Sequence, residues 1–387
     1  MLAGAGFMIR SFLMFYRMDI GADTSHLLMM ELPLPPGKYP TVEARNRFLE
    51  QVNERLGGIS SIESATTASS VPFGGGPTRY IHLNDRPEPA GVPLPTVTMV
   101  TVGPRYWETI RVPIARGRAL TEADGLPGHE AVVVNQRLAS MHFPGQDPIG
   151  KTIRLTELAP SNPETGWATI VGISPNVRQR GPFGDAAGLD RQPDPVAYLP
   201  VRGNPNSGRG TSLLIRTHGD PGKATALVRQ EIRLLDPDLP VFGVRTVDEF
   251  LANLRWPFRV FGMTFAIFAV IALLLSAMGL YAITAYSVTQ RTQEIGIRMA
   301  LGAQRPDVWW LIARRAMIQL GVGLAVGLAA AVGVGRLLQS TLVWTSATDP
   351  TTLLTISAVM VIAAVTASFR PAQRATQLDP AAALRSE

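Results

Sequence analysis

The sequence predicts an α+β domain outside the cytoplasm, followed by an all-α transmembrane domain of three helices. Three observations predict this fold class. The middle of the chain mixes strand-like runs with charged, amphipathic helices. The last third contains three long runs without a charged residue, and arginines are concentrated in one of the two loops between those runs. The apolar runs predict membrane spans, and the arginines predict their orientation.

Composition supports a membrane protein. Charged residues make up 17% of the 387-residue chain, against about 25% in globular proteins. The net charge is +6, but the arginines lie beside apolar runs rather than in a basic tract, so no nucleic acid partner is expected. Cysteine is absent, which excludes disulfides, thiolate zinc sites and a cysteine nucleophile.

Residues 1–18 are interpreted as the remnant of a first transmembrane helix. Met1–Ile9 is apolar, but it lacks the features of a signal peptide and is shorter than the roughly 20 residues of a full span. We therefore expect the outer end of a helix whose beginning is missing from this chain. The alternative is a short amphipathic helix on the membrane surface.

Residues 20–250 are predicted to form the α+β domain. A helix is expected over Thr41–Leu56, where apolar residues recur at helical spacing before Gly57 and Gly58. Another starts at Asp220-Pro221 and runs to about Leu235, because an acidic cap precedes a proline at the first helical position. No regular βαβ rhythm is present, which disfavours a doubly wound sheet. The remaining predicted elements are strands at Tyr80–Leu83, Thr96–Val102, Ala131–Val134, Lys151–Leu155 and Ala168–Ile173, a short helix at Asn135–Phe143, and a long loop at Ser174–Gly210.

The transmembrane domain is predicted over residues 258–387, with spans at about 260–286, 316–336 and 350–369. These follow the uncharged runs, the second of which ends at Gly335, just before Arg336, and each run reaches the roughly 20 residues that cross a bilayer. Buried helices of a soluble protein are the alternative, which three such runs disfavour.

The charged residues between the spans predict the topology. The loop at 290–315 is rich in arginine, whereas Leu337–Asp349 contains neither lysine nor arginine. Basic loops remain cytoplasmic, so loop 290–315 and the C-terminus are expected inside and residues 20–250 outside. This predicts a multi-pass protein of a bacterial inner membrane with a periplasmic domain.

One motif is misleading. Gly145–Thr152 matches the phosphate-loop pattern GxxxxGK[ST], which needs a strand before it and a helix after it. Here a predicted helix precedes it, a predicted strand follows it, and Pro148 removes an amide. We therefore expect no nucleotide site.

No catalytic set and no cofactor or metal site are predicted, so the chain is not expected to be an enzyme. The serines lack a GxSxG elbow. The histidines show no metal-ligand spacing; they are His26, His82, His129, His142 and His218.

The loop at 290–315 is the strongest candidate functional segment. Glu294 and Arg298 are four residues apart and can pair on one helical face. Gly302 ends one short helix and Pro306 starts the next. This predicts a helix–turn–helix surface for a cytoplasmic partner; an amphipathic helix on lipid headgroups is the alternative.

The second predicted span contains a GxxxG pair, Gly323 and Gly327. Small residues let helices approach closely in lipid, so these glycines are candidates for helix packing within the chain or across a dimer. Glycine is also common in membrane helices without such a role, which is the alternative.

At the arginine loop, Arg291–Ala303 (RTQEIGIRMALGA) resembles the hallmark of the FtsX/MacB-like permeases of ABC transporters. The terminal Arg370–Arg385 matches that family's end. Upstream, Arg116–Asp124 and Phe143–Lys151 are similar to its MacB-type periplasmic core, which explains the misleading motif. The resemblance covers nearly the whole chain, and the opening is most similar to duplicated orphan permeases common in acidobacteria.

The resemblance implies a permease without cofactor whose partners are a cytoplasmic ABC ATPase, a second permease copy, a periplasmic adaptor and membrane lipid. It implies that ATP-driven motion is passed to the periplasmic domain. It further implies that the ATPase touches the segment containing Glu294, Ile295, Gly296, Arg298, Met299, Gly302 and Ala303.

The chain departs from the family pattern because it lacks most of the first membrane helix and a second permease unit. An inactive truncated fragment is therefore one alternative. A membrane-tethered scaffold or regulator of periplasmic enzymes, without transport, is another.

Overall fold

The computed structural model describes residues 2–84, 93–158, 166–181, 192–203, 210–290, 297, 305–337 and 349–375. The chain divides into two compact units. One, called here the sheet unit, is Met18–Leu254; the other, called the helical unit, combines Met1–Arg17 with Arg255–Glu387. The sequence predicted the domains at 20–250 and 258–387.

The sheet unit is built on one mixed, mostly antiparallel sheet in the order β11-β1-β10-β2-β4-β3-β7-β8-β6-β9, with β5 paired to β8. An additional parallel pairing of β4 with β9 closes the second half of this path into a ring. The described strands are β1 Leu27–Leu32, β2 Ile62–Ala68, β3 Thr78–Leu83, β4 Thr96–Val102, β5 Arg116–Gly117, β6 Ala131–Asn135, β7 Thr152–Glu157, β8 Ala168–Ser174, β9 Val196–Pro200, β10 Thr211–Thr217 and β11 Phe242–Thr246.

Four helices of the sheet unit pack on these strands: α2 Val42–Gly57, α3 Tyr106–Thr109, α4 Gln136–His142 and α5 Pro221–Leu235. The buried side chains form two cores. One joins α2 and α5 to strands β1, β2 and β10. The other joins α4 to the ring of strands. The unit therefore has two lobes, each with its own apolar interior.

Capping chemistry placed the predicted helices correctly. Thr41 accepts a hydrogen bond from the Ala44 amide at the start of α2. Asp220 does the same for Gly222, with Pro221 at the first position of α5. The predicted strands at 80–83, 96–102, 131–134, 151–155 and 168–173 are also confirmed as β3, β4, β6, β7 and β8.

The predicted long loop at Ser174–Gly210 is wrong in part, because it contains strand β9. Val196, Ala197 and Tyr198 are fully buried, and β9 pairs with both β4 and β6. A proline stands before the strand and another is its last residue, a composition typical of loops. Pairing with two distant strands overrides that local signal.

Five further strands, β1, β2, β5, β10 and β11, were not predicted. All seven residues of β10 are buried, and five of the six residues of β1 are buried. Strands covered on both faces show no alternation of apolar and polar residues, so the period-two signal is missing.

The helical unit contains α1 Leu2–Tyr16, most of α6 Val247–Gln290, α7 Arg305–Leu337 and α8 Pro350–Ala375. Helix α6 has 44 residues, which makes it about 66 Å long at about 1.5 Å per residue. The unit boundary at Leu254–Arg255 lies inside this helix.

Two of these helices, Val247–Gln290 and Pro350–Ala367, are long and apolar enough to cross a membrane, and Met317–Gly333 is a shorter apolar stretch. In each of the first two, only 11% of the most apolar stretch is buried. A core helix of a soluble protein would be mostly buried. These apolar faces are exposed instead, as expected for helices solvated by lipid.

Candidate functional site

The residues predicted to couple with an ATPase lie outside the described part of the structure. They are Glu294, Ile295, Gly296, Arg298, Met299, Gly302 and Ala303. Their role stays a prediction.

Gly323 and Gly327 are described on α7, and a Cβ placed on either would meet no atom within 4 Å. Neither glycine therefore lies at a close helix contact within the described part of this chain. The pair remains a candidate for contact with a second copy. A groove of about 420 Å³ runs beside Gly323, between α6, α7 and α8, and Ser276 and Ala363 are among its lining residues.

Close helix packing occurs instead at Gly6 of α1, which the sequence analysis did not single out. A Cβ at Gly6 would stand 2.8 Å from Cδ1 of Ile356 and 3.2 Å from Cγ2 of Thr352, both on α8. Only glycine permits this approach without a shift. The sequence feature that could have predicted this contact is the presence of Gly4 and Gly6 in an apolar run.

A polar contact joins the same two helices. The Arg10 guanidinium is 2.5 Å from Oδ2 of Asp349 and also donates to the hydroxyls of Thr351 and Thr352. Asp349 in turn accepts from the Thr352 amide at the start of α8, as an N-cap does. The Thr351 hydroxyl, the Thr352 groups and the charge of Arg10 together lower the pKa of Asp349 to about 2. Arg10 thus holds α1 to the first turn of α8.

Helix α1 also packs on α6 through aromatic rings. The rings of Phe15 and Phe258 meet edge to face with centroids 5.3 Å apart. The guanidinium of Arg255 lies over the rings of Tyr16, at 5.3 Å, and Phe15, at 6.0 Å. Such cation–π contacts fix the position of an arginine without neutralising its charge.

In the sheet unit, the edge strand β11 leads directly into α6. Thr246 and Glu249 form a capping box, in which each side chain accepts a hydrogen bond from the backbone amide of the other at 2.9–3.1 Å. Thr24 donates to Asp248 at 2.6 Å, and β11 pairs with β1. The segment that follows α1 and the start of α6 are therefore fastened together at one edge of the sheet.

Arg216 on β10 anchors the first of these segments. Its side chain is completely buried and donates to the carbonyls of Thr109, Ser25 and Asp23 at 2.5–2.7 Å. Burial lowers the pKa of Arg216, while the Asp23 carboxylate, 3.4 Å away, opposes that shift. Sequence reasoning missed this residue because its partners are distant in the chain.

The elements around the motif at Gly145–Thr152 stand in the reverse of the order that a phosphate loop needs. Helix α4 precedes it and strand β7 follows it. Several of its amides donate to other groups of the fold: Gly150 to the Ile170 carbonyl, Lys151 to the Pro148 carbonyl, and Ile149 to the Asp147 carboxylate. Among the described residues, no group of three or more histidine or acidic side chains is placed to hold a metal.

Comparison with known families gives two matches. Residues 21–235 match the MacB-like periplasmic core domain, and residues 266–380 match the FtsX-like permease C-terminal domain. The first match alone covers more than half of the chain, and together the two leave only short segments unmatched.

Curated relatives include the macrolide export ATP-binding/permease protein MacB of Syntrophobacter fumaroxidans, 25% identical over 379 residues, covering 84% of this chain and 51% of the relative. The protein of the same name from Hahella chejuensis is 30% identical over 298 residues, covering 75% of this chain and 43% of the relative. The chain thus spans about half the length of these relatives. Among solved structures, the periplasmic region of MacB from Actinobacillus actinomycetemcomitans covers 60% of this chain and 94% of that structure, with 15% identity and a TM-score of 0.38.

Proposed function

Because the chain belongs to the MacB/FtsX-type ABC transporter permeases, we propose that it is a permease subunit that passes ATP-driven motion to its periplasmic domain. The ATP would be hydrolysed by a separate cytoplasmic subunit. The outcome is efflux or mechanical work on a periplasmic partner.

The observation that carries this proposal is the continuity of α6. The helix begins in the sheet unit at Val247, directly after strand β11, and ends in the helical unit at Gln290. Helical backbone runs through this segment without a gap, although Pro257 inside it has no amide to donate, and a helix transmits displacement along its axis better than a flexible linker. Coupling of this kind also needs an element with two states that nucleotide biases.

The proposed topology has three crossings, at about 260–286, 316–336 and 350–369, with residues 20–250 in the periplasm and the C-terminus in the cytoplasm. The exposed apolar surfaces of α6 and α8 support two of these crossings. The arginine bias of loop 290–315 supports the orientation.

The ATPase is proposed to touch residues 294–303, directly after the end of α6. A partner that moves this segment would act on the cytoplasmic end of the helix that continues to β11. Two permease copies would work with two ATPases, and Gly323 and Gly327 are proposed to lie where the copies meet. A periplasmic adaptor is proposed to bind the sheet unit.

The test is replacement of Glu294 and Arg298 by alanine in the full chain, reconstituted in vesicles with its ATPase. We expect the stimulation of ATP hydrolysis by the permease to be lost, because both side chains lie on the proposed contact face. The measured quantity is the difference in ATPase rate with and without permease.

A matched control removes another Arg–Glu pair, Arg55 and Glu231, which are 3.2 Å apart on the surface of the sheet unit. This control should keep full stimulation. If the Glu294/Arg298 variant still stimulated ATP hydrolysis fully, the proposal that these residues contact the ATPase would be wrong. Retention of a periplasmic enzyme during purification, with no effect on an ATPase, would favour a scaffold instead.

A further inference from the structure

We propose that Arg17, Arg255 and Arg259 form a binding site for the phosphate of an anionic phospholipid, such as phosphatidylglycerol, in the outer leaflet of the membrane. We call these residues, with the aromatic side chains of Tyr16 and Trp256, the outer arginine patch. The assignment to the outer leaflet rests on the topology proposed above.

The charge of the patch conflicts with its proposed side of the membrane. Basic residues that flank spans normally lie in the cytoplasm. Here three arginines flank the ends of α1 and of the apolar part of α6 that the topology places outside. Arginines on the side of the membrane where they are normally rare would be stabilised by a bound negative charge.

The packing of α1 on α6 places the three arginines at the same end of this helix pair. Phe12 approaches Gly262 at 4.0 Å, measured to a Cβ placed on the glycine. Phe15 meets Phe258, and Tyr16 meets Arg255. As residue numbers rise on α1 they fall on α6, so the helices are antiparallel and Arg17 lies at the Arg255 end.

None of the three arginines has a counter-charge in the described part of the structure. Arg17 and Arg259 are exposed. The Nε of Arg255 is buried without a hydrogen-bond partner while its guanidinium lies over two rings. Asp349, at the start of α8, is already bound by Arg10. Three positive charges are therefore available to an external anion.

The chemistry of the patch fits a lipid phosphate. Guanidinium groups donate two parallel hydrogen bonds to phosphate oxygens. Tyr16 and Trp256 are 60% and 58% exposed, and amphipathic rings of this kind prefer the level of the headgroups. Val260 and Phe261 continue an exposed apolar surface beside them, which suits an acyl chain. A zwitterionic headgroup carries its own cation and would compete poorly.

The experiment uses the full chain in bilayers of mixed phosphatidylglycerol and phosphatidylcholine, with retained lipids identified by native mass spectrometry. We expect phosphatidylglycerol to be enriched over its share of the bilayer. Each Arg→Gln change should lower that preference about fivefold, which corresponds to about 1 kcal/mol for each basic residue near an anionic surface.

The control is Arg229→Gln on α5, an exposed arginine of the sheet unit, which should leave the preference unchanged. The double variant R17Q/R259Q alters exposed side chains alone, so it tests the site even if R255Q fails to fold. Equal retention of both lipids by the original chain would overturn the proposal, as would unchanged enrichment in the double variant. Displacement of the lipid by millimolar inorganic phosphate would overturn it in favour of a free-phosphate site.

Asymmetric vesicles separate this proposal from the proposed function. Phosphatidylglycerol confined to the leaflet on the side of the sheet unit should be retained, and the double variant should abolish that retention. Because the assay involves no ATPase, loss of ATPase coupling leaves its result intact. Retention only from the opposite leaflet would overturn the outer-leaflet assignment.

Discussion

At the scale of single residues, Arg216 shows how a buried charge can organise a junction. Its guanidinium satisfies three backbone carbonyls, two of them in the segment that follows α1. Asp23 lies within 3.4 Å and is also paired with Arg111. Burial alone would raise the pKa of Asp23, but hydrogen bonds from Ser25 and the charge of Arg216 hold it below its usual value. The carboxylate therefore remains ionised at neutral pH.

Replacing Arg216 by methionine should destabilise the sheet unit by about 3 kcal/mol, because three backbone carbonyls lose a charged donor and the Asp23 carboxylate loses a partner. Chemical unfolding of the full chain in detergent, followed by tryptophan fluorescence, would measure this change. Arg229→Gln should change stability by no more than about 0.5 kcal/mol. If the two variants had equal stability, the anchoring role of Arg216 would be refuted.

At the scale of elements, the glycines of α1 and α7 differ in what their missing side chains permit. Gly6 lies against α8 within the chain. A Cβ at Gly323 or Gly327 of α7 would meet no atom of the described residues within 4 Å. Glycines of apolar helices thus occur in two different structural settings.

Changing Gly323 and Gly327 to leucine should leave the chain folded but lower its tendency to dimerise at least fivefold, because close helix approach in lipid depends on small residues. Light scattering on the purified protein across a concentration series would report the dimer fraction. Gly321→Leu is the control, since Gly321 also has nothing within 4 Å but lies outside the GxxxG pair. An unaltered dimer fraction in the double variant would place the dimer contact elsewhere.

At the scale of the whole molecule, the proposed function depends on topology. We expect a reporter that is active only in the cytoplasm to be active when fused after Glu387, and a periplasmic reporter inserted after Gly219 to be active as well. The arginines of loop 290–315 provide the physical reason. Insertion at Gly219 is chosen because its position on the surface between β10 and α5 avoids the core.

The opposite pattern of reporter activity would show that the orientation is inverted, and loop 290–315 could then not contact a cytoplasmic ATPase. A chain that stayed soluble without detergent would contradict the crossings altogether. If Arg291, Arg298 and Arg305 set the orientation, changing them to glutamine should lower the activity of both reporters. The same fusions measure this effect.

The sequence by itself determined the features that depend on local chemistry. Caps at Thr41 and Asp220 set where α2 and α5 begin, because a side chain three residues or fewer away satisfies the free amides of a helix start. Long uncharged runs identified the apolar helices, because length and polarity decide whether a segment suits a bilayer. The rejected phosphate loop was also recognisable locally, since the order of helix and strand around it is visible in the sequence.

Only the tertiary structure decided the features that depend on distant partners. Strand β9 exists because β4 and β6 satisfy its backbone, although its own residues resemble a loop. Arg216 is an anchor because Asp23, Ser25 and Thr109 meet around it, and Gly6 is a packing site because Ile356 stands against it. Contacts between residues far apart in the chain leave no periodic pattern, so neither their existence nor their strength can be inferred from local sequence.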